Sequence, residues 1–290
     1  CVPLVVTQPD RPKGRGRKVT PTPVHAKAEE LGIDVLPASD VNLPACVERI
    51  ASESPDAVVV VSFGQILKRP LLEMPQLGCL NVHFSILPAL RGAAPISWAI
   101  MNGMESTGVS VIRMVRKMDA GPVYARDSLC IHPGETASSL ADRLAPLGAR
   151  LIVDVLKDCL AGSARPVEQD ASLATFAPKI TRDTAGVDWT FPAPRLDCMI
   201  RGLSGQLEAF AFFESSRRTR VSVYDSAALD GDTPGPGIAA RGPCGELRLG
   251  CGSGLIEIKE IQAEGRRRVS GRDFANGYHI TGGERFSNGR

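Results

Sequence analysis

The chain has 290 residues, 43% of them hydrophobic and 23% charged, with a formal net charge of +2. This is the balance of an ordinary globular protein with room for two domains and a sizeable core, and it excludes a disordered chain. So small a charge does not by itself demand a nucleic-acid partner, and no apolar run approaches the roughly 20 residues of a membrane span. The eight cysteines are scattered without a Cys-x-x-Cys pair. That pattern suits free, mostly buried thiols in a reducing cytosol and argues against a zinc site.

The first half alternates short apolar runs with helical patterns. "PLVVT" predicts a strand, and "TPTPVHAKAEELGI" a helix, with Pro23 suited to its first turn and Gly32 to its stop. "DVLPAS" is a short strand, and Pro44 to Ser52 a weaker helix. "DAVVVVSFGQ" is apolar on both faces, as expected of a central parallel strand covered by helices. "GCLNVHFS" is a further strand, "APISWAIMNGM" a short helix, and "TGVSVIRM" and "PVYARDSLCI" two more strands. A long amphipathic helix follows from Ala137 to Leu160. Such alternation predicts a parallel, doubly wound sheet.

After Gly162 the texture changes. "SARPVEQDASLATFAPKITRDTAG" is polar and turn-rich and reads as a linker. "DWTFPAPRLDCMIRGL" then opens a second domain with a helix. The runs "FAFFE", "TRVSVYDSA", "GELRLGC" and "GLIEIKEIQA", separated by Gly, Pro and Asp, have the spacing of a small β-barrel. The division expected is 1–163, a linker at 164–182, and 183–290.

Chemistry concentrates in the strand "GCLNVHFS". Side chains two apart on a strand share a face, so Asn81 and His83 project together while Val82 turns away. They lie near the carboxyl end of a strand, where open α/β sheets place ligands. An amide donor beside an imidazole suits acyl transfer: the amide stabilises an oxyanion and the histidine moves a proton. A carboxylate would orient the histidine, and Asp119 in "MVRKMDAGPVY" is the best candidate. No serine or cysteine stands in a nucleophile motif, which favours direct transfer to an incoming amine. Taken without further support, the same residues are equally a core histidine and a turn-fixing aspartate. "PDRPKGRGRK" gathers Arg11, Lys13, Arg15, Arg17 and Lys18 around two glycines, and Arg266, Arg267 and Arg268 form a second basic cluster. As a bare charge run the first is a solvated loop, and the second either tracks a nucleic-acid backbone or is only a charged turn.

"NVHFSILPALRGAAPISWAI" closely resembles the Asn-x-His-x-Ser-Leu-Leu-Pro…Arg-Gly-Ala-Ala-Pro-Ile signature of folate-dependent formyltransferases, and "MDAGPVY" resembles that family's Leu-Asp-x-Gly turn. "VTQPDRPKGRGRKVTPTPV", "EMPQLGCLNVH", "TFAPKIT…VDW" and "IKEIQAEGRRRVSGRDFANG" extend the resemblance over nearly the whole chain. Within the family it is greatest to members that act on charged initiator tRNA. The resemblance implies an α/β Rossmann-like formyltransferase domain followed by an OB-like β-barrel domain that binds tRNA. It implies 10-formyltetrahydrofolate as the formyl donor and the α-amine of methionyl initiator tRNA as the acceptor, in translation initiation. Asn81 would stabilise the tetrahedral oxyanion, His83 would assist and move protons, and Asp119 would orient His83. Folate would be held by Phe63, Gly64, Gln65, Ile66, Leu67, Ser85, Leu87 and Pro88. Lys13, Arg15, Arg17 and Lys18 would enter the acceptor stem, with Arg15 matching the arginine of the family's Gly-Arg-Gly. Arg91 is either structural or near anionic substrate groups. The expected molecule is a cytoplasmic monomer that uses no metal and has no membrane partner.

The sequence departs from the family in four places. The family begins with a strand and a Gly-Thr-Pro loop, a unit of about 30 residues that would place its strand mid-sheet. The chain instead starts at Cys1, so either an incomplete record or a poorly stable product is expected. Phe84 replaces a small residue, Lys117 stands two before Asp119 where the family has Gly, and "GLSGQLEAF" replaces an Asn-Pro-Trp-Pro-Gly-Ala stretch. Two rival readings follow: a sugar-nucleotide formyltransferase, and a non-catalytic RNA-binding protein with a degenerate formyltransferase core.

Overall fold

The structure, a computed structural model, describes residues 1–13 and 18–289. In chain order the elements begin with β1 (Leu4–Thr7), β2 (Arg11–Lys13), β3 (Lys18–Thr20), α1 (Pro23–Glu30), β4 (Asp34–Pro37), α2 (Pro44–Ser52), β5 (Val58–Val61), α3 (Arg69–Leu72) and β6 (Cys79–His83). They continue with α4 (Pro95–Met101), β7 (Ser106–Arg113), β8 (Val123–Cys130) and α5 (Ala137–Leu160). A single 3₁₀ turn (Ala171–Leu173) and α6 (Arg182–Ala185) lead to α7 (Ala193–Leu203). The remainder is β9 (Ala209–Glu214), β10 (Arg218–Leu229), β11 (Ala239–Arg241), β12 (Leu247–Gly250), β13 (Leu255–Ala263), β14 (Val269–Ser270), α8 (Gly271–Gly277) and β15 (Arg285–Ser287). Among the described residues no helix is long and apolar enough to cross a membrane.

Local chemistry starts the helices. Thr22 accepts a hydrogen bond from the His25 amide at 3.1 Å, and Pro23 fills the first turn of α1. Pro44 and Pro95 open α2 and α4 in the same way. Ser270 caps α8 by accepting from the Asp273 amide at 3.0 Å.

The chain divides into two compact units. One comprises Cys1–His83, Val109–Arg126 and Gly148–Leu173, the other Phe84–Gly108, Asp127–Leu147 and Ala174–Arg290. In the first, β1 pairs with β4 in parallel, Leu4 opposite Asp34 through Thr7 opposite Pro37. A separate sheet runs in the order β5-β6-β7-β8. Ile50, Leu67, Leu71 and Cys79 form the buried core, with Leu4 and Val6 of β1 and Val58 and Val60 of β5 packed on it.

One expectation is corrected. β5 and β6 are parallel, but β6 and β7 are antiparallel, with Asn81 opposite Ile112 and His83 opposite Ser110. The sheet is therefore mixed, because apolar runs report burial and not strand direction. Among the described residues β5 pairs only with β6, and Val59 and Val61 are 42% and 48% exposed. A strand apolar on both faces is buried on both only where the sheet continues past it.

The second unit holds the barrel. Its strands run β11-β12-β13-β10-β9-β15, with β14 beside β13. The ends meet: Ile238 bridges Arg285, the Ala239 amide donates to the Glu284 carbonyl at 2.8 Å, and the Phe286 amide donates to the Gly237 carbonyl at 2.7 Å. Joining the edges in this way removes most unpaired backbone groups, as barrel closure requires. Trp189, Leu196, Leu203, Val221, Leu247, Ile256 and Phe286 fill the interior. Alternation along β9 places Ala209, Ala211 and Phe213 inside and leaves Phe210 and Phe212 half-buried on the outer face.

Candidate active site

Strand β6 carries Asn81 and His83 on one face, while Val82 between them is 4% exposed. His83 is itself buried, at 5%. The turn after β7 brings Asp119 to this pair. Asn81 donates through Nδ2 to Oδ1 of Asp119 at 3.4 Å. Oδ2 of the same carboxylate lies 3.7 Å from Nδ1 of His83. The first contact is a long hydrogen bond; the second is an ion-pair separation, beyond hydrogen-bond range. A histidine with Nδ1 turned to a carboxylate presents Nε2 for proton transfer. An amide nitrogen has two protons, so Asn81 can spend one on Asp119 and direct the other at a developing oxyanion.

The Asp119 turn is held from several sides. Asp119 has φ of 49°, in the left-handed region that non-glycine residues rarely occupy. The Ala120 amide donates to the Lys117 carbonyl at 3.3 Å, and the Arg113 amide donates to the Pro122 carbonyl at 3.0 Å. Gly121 allows the close approach: a Cβ there would stand 1.8 Å from the Arg113 carbonyl oxygen. Gln169 donates through Nε2 to the carbonyls of Asp119 and Gly121 at 2.8 and 2.7 Å. Sequence reading did not single out Gln169, which sits in the polar linker with no local pattern around it. Lys117 is exposed, and its contribution to the turn is its backbone carbonyl.

The five residues Phe63 to Leu67, expected to hold folate, follow β5. Phe63 is half-buried and its carbonyl accepts from Gln8 Nε2 at 3.1 Å. Gly64 has φ of 78° and is open, with no atom near its missing side chain. Gln65 is committed to the scaffold: it accepts from the Val41 amide and donates to the Ala38 carbonyl, both at 2.8 Å. Ile66 is 71% exposed and Leu67 is in the core. The loop can therefore present a side chain only at Ile66 and Phe63, together with backbone around Gly64.

Ser85, Leu87 and Pro88 belong to the second unit. Ser85 is buried and donates to the Ala89 carbonyl at 2.6 Å, Leu87 is buried, and the Leu87–Pro88 bond is cis. Phe84 is half-buried. Arg91 is 3% exposed, and its backbone pairs with the linker: its amide donates to the Thr175 carbonyl at 2.9 Å and its carbonyl accepts from Ala177 at 2.8 Å. The structural reading of Arg91 is the one this environment favours.

Of the basic segment, Lys13 and Lys18 are opposite each other where β2 and β3 pair antiparallel. Arg15 and Arg17 lie outside the described residues. At the base of this hairpin His25 Nδ1 is 2.9 Å from Asp10 Oδ1. The hydrogen bond to Asp10 raises the imidazole above its ordinary value, with Glu29 adding to it and partial burial opposing. In the barrel unit Arg266 and Arg267 are exposed, while Arg268 stacks 3.5 Å over the Tyr224 ring and pairs with Glu260 at 3.1 Å. Arg218 and Arg220 of β10 lie over Phe212 and Phe210 of the neighbouring β9.

All eight cysteines are free thiols. Cys79, on β6, is pushed up to about 11 by burial, partly offset by Arg113, which makes it an inert neighbour of the site. Among the described residues no cluster of three or more His, Cys, Asp or Glu could hold a metal ion.

Comparison with known proteins bears on this geometry. The "Formyl transferase" family model matches residues 1–156, and the "Formyl transferase, C-terminal domain" model matches residues 179–279. Relatives named methionyl-tRNA formyltransferase include that of Geobacter metallireducens, 40% identical over 284 residues, covering 97% of this chain and 89% of the relative. That of Bacillus velezensis is 38% identical, covering 97% and 88%. Among solved structures, HypX of Aquifex aeolicus in complex with tetrahydrofolic acid aligns with TM-score 0.62 at 18% identity, over 88% of this chain and 44% of HypX. The N-formyltransferase of Helicobacter canadensis in complex with folinic acid and dTDP-3-aminofucose aligns with TM-score 0.61 at 15% identity, over 89% and 87%. These two share the fold. With both halves of the chain matched and close relatives aligned over nearly its full length, the chain belongs to the formyl transferase family.

Proposed function

We propose that this chain is a methionyl-tRNA formyltransferase, which moves a formyl group from 10-formyltetrahydrofolate to the α-amine of methionyl initiator tRNA. The convergence of Asn81, His83 and Asp119 carries the reading at the chemical level, and the tRNA-acting relatives carry the acceptor. An α-amine has a pKa of about 7.7–8.0, so a useful fraction is already neutral near pH 7 and needs little activation. The demanding parts are the oxyanion formed when the amine nitrogen bonds to the formyl carbon, and the proton on the resulting ammonium. Asn81 donates to that oxyanion. His83 takes the proton and returns it to the departing folate nitrogen as the tetrahedral carbon collapses. Asp119 orients His83. On the folate side the first unit offers Phe63, Ile66 and the backbone around Gly64.

In this reading residues 1–163 are the catalytic part, 164–182 the linker and 183–290 the tRNA-binding barrel. Lys13, Arg15, Arg17 and Lys18 contact the acceptor stem, where phosphate contacts supply affinity without sequence selectivity. The protein acts as a monomer in the cytoplasm.

The test is formyl transfer from 10-formyltetrahydrofolate to methionyl initiator tRNA, run beside uncharged tRNA and an amino-sugar nucleotide, with His83→Ala and Arg15→Ala. Transfer to the charged tRNA alone, abolished by His83→Ala and weakened at the acceptor by Arg15→Ala, is expected. Transfer to the amino-sugar nucleotide instead would establish the sugar-nucleotide enzyme. Binding of tRNA with no transfer to any acceptor would establish the degenerate core.

A further inference from the structure

Asp119 faces two partners at 3.4 and 3.7 Å, both at the outer limit of useful contact, from a backbone held at φ of 49°. Small displacements of such a group are costly, since an error of about 1 Å in a reacting arrangement can lower the rate 10²-fold. What sets its position therefore matters as much as what it touches.

The linker supplies a clamp. Val167 exchanges both backbone hydrogen bonds with Val123, at 2.8 and 2.9 Å, which lays this segment alongside the start of β8. Two residues on, Gln169 is half-buried between exposed Glu168 and Asp170. Its Nε2 donates to the carbonyls of Asp119 and Gly121, which flank Ala120. Both protons of one amide nitrogen are thus spent on the two peptide groups that bracket the turn. A carboxylate has no such protons, a hydroxyl has one, and a lysine would bring a charge beside Asp119.

We propose that Gln169 is a positioning residue for formyl transfer, acting through the backbone of the Asp119 turn. The proposal rests on the catalytic reading of Asp119 above. It makes the linker part of the active-site machinery rather than a passive connection.

The experiment is a double-mutant cycle on the full chain, assayed with 10-formyltetrahydrofolate and methionyl initiator tRNA. Gln169→Ala and the near-isosteric Gln169→Glu should lower kcat about 10–100-fold with KM for both substrates little changed. Gln169→Asn, keeping the amide on a shorter stem, should recover part of the loss. In the Asp119→Asn background Gln169→Glu should cost less than about threefold, because two groups acting as a unit are not additive. Should Gln169→Ala fail to fold, the Glu and Asn variants carry the cycle. Wild-type kcat per folded molecule with a lowered Tm would overturn the proposal and leave Gln169 a structural clamp. So would an undiminished loss in the Asp119→Asn background. Wild-type kcat in Asp119→Asn itself would instead sink the catalytic reading of Asp119.

Discussion

The carboxylate of Asp119 lies 3.7 Å from Nδ1 of His83 and 3.4 Å from Nδ2 of Asn81, so one turn residue serves both side chains of the strand. This arrangement separates two roles by their expected losses. Asn81→Ala should lower kcat about 10²–10³-fold, the usual effect of removing one oxyanion donor. His83→Ala should cost about 10²–10⁴-fold as the proton carrier is lost. Single-turnover formyl transfer at saturating folate measures both, and a loss confined to KM would contradict the assignment.

His25 is raised by Asp10, and the sign of its effect is fixed by that direction. Its stabilising contribution is fully present below the ordinary value near 6.5 and is lost as pH rises through the higher folded value. The hairpin of β2 and β3 should therefore be held less firmly in alkaline buffer. Titration of the His25 ring by NMR should show the raised midpoint, and Asp10→Asn should return it toward 6.5.

Glu135 is buried in the second unit and receives Arg143 Nη1 at 2.8 Å on each oxygen and the His132 amide at 2.8 Å. Burial alone would raise this carboxyl. The Arg143 and His132 hydrogen bonds outweigh burial and hold it below its ordinary value. Its contribution is therefore present above the unfolded value and disappears as pH falls through the lower folded value. Glu135→Ala should cost about 1–3 kcal/mol at pH 7 by leaving charged donors unpaired, and less at pH 3; denaturant unfolding at the two pH values checks this.

Gly92 has φ of 127°, and a Cβ there would meet the Ala177 carbonyl oxygen at 2.5 Å. Both a strained backbone and a backbone clash follow from adding a methyl. Gly92→Ala should destabilise by more than about 1 kcal/mol and free the linker from residues 91–94. Hydrogen exchange at the Ala177 amide, which donates to Arg91, would report the release.

Much of this organisation was legible in the residues. Pro44 to Ser52 and Ala137 to Leu160 are helices with the bounds their patterns predict, because first-turn proline and amphipathic spacing are local signals. Asn81, His83 and Asp119 come together as their spacing and the family motif suggest. Three things were not legible. The antiparallel turn of β7 against β6 depends on how the chain returns, which apolar runs do not encode. The pairing of β2 with β3 joins Pro12 to Val19 in a segment read only as a charged loop. Gln169 reaches a turn 50 residues away in sequence, and a glutamine in a polar linker gives no sign of such a contact.

The open edge of β5 has a consequence for handling a polypeptide of these 290 residues alone. Four consecutive valines, two of them 42% and 48% exposed, border a line of backbone donors and acceptors with no strand beyond it among the described residues. Uncharged β-branched segments of this kind are ready templates for another extended chain. At high concentration that polypeptide should therefore self-associate through this edge, with loss of soluble protein and growth of β-rich assemblies, and a further strand paired to β5 should suppress this. Val59→Lys, placing a gatekeeper charge on the exposed face, should keep it in solution.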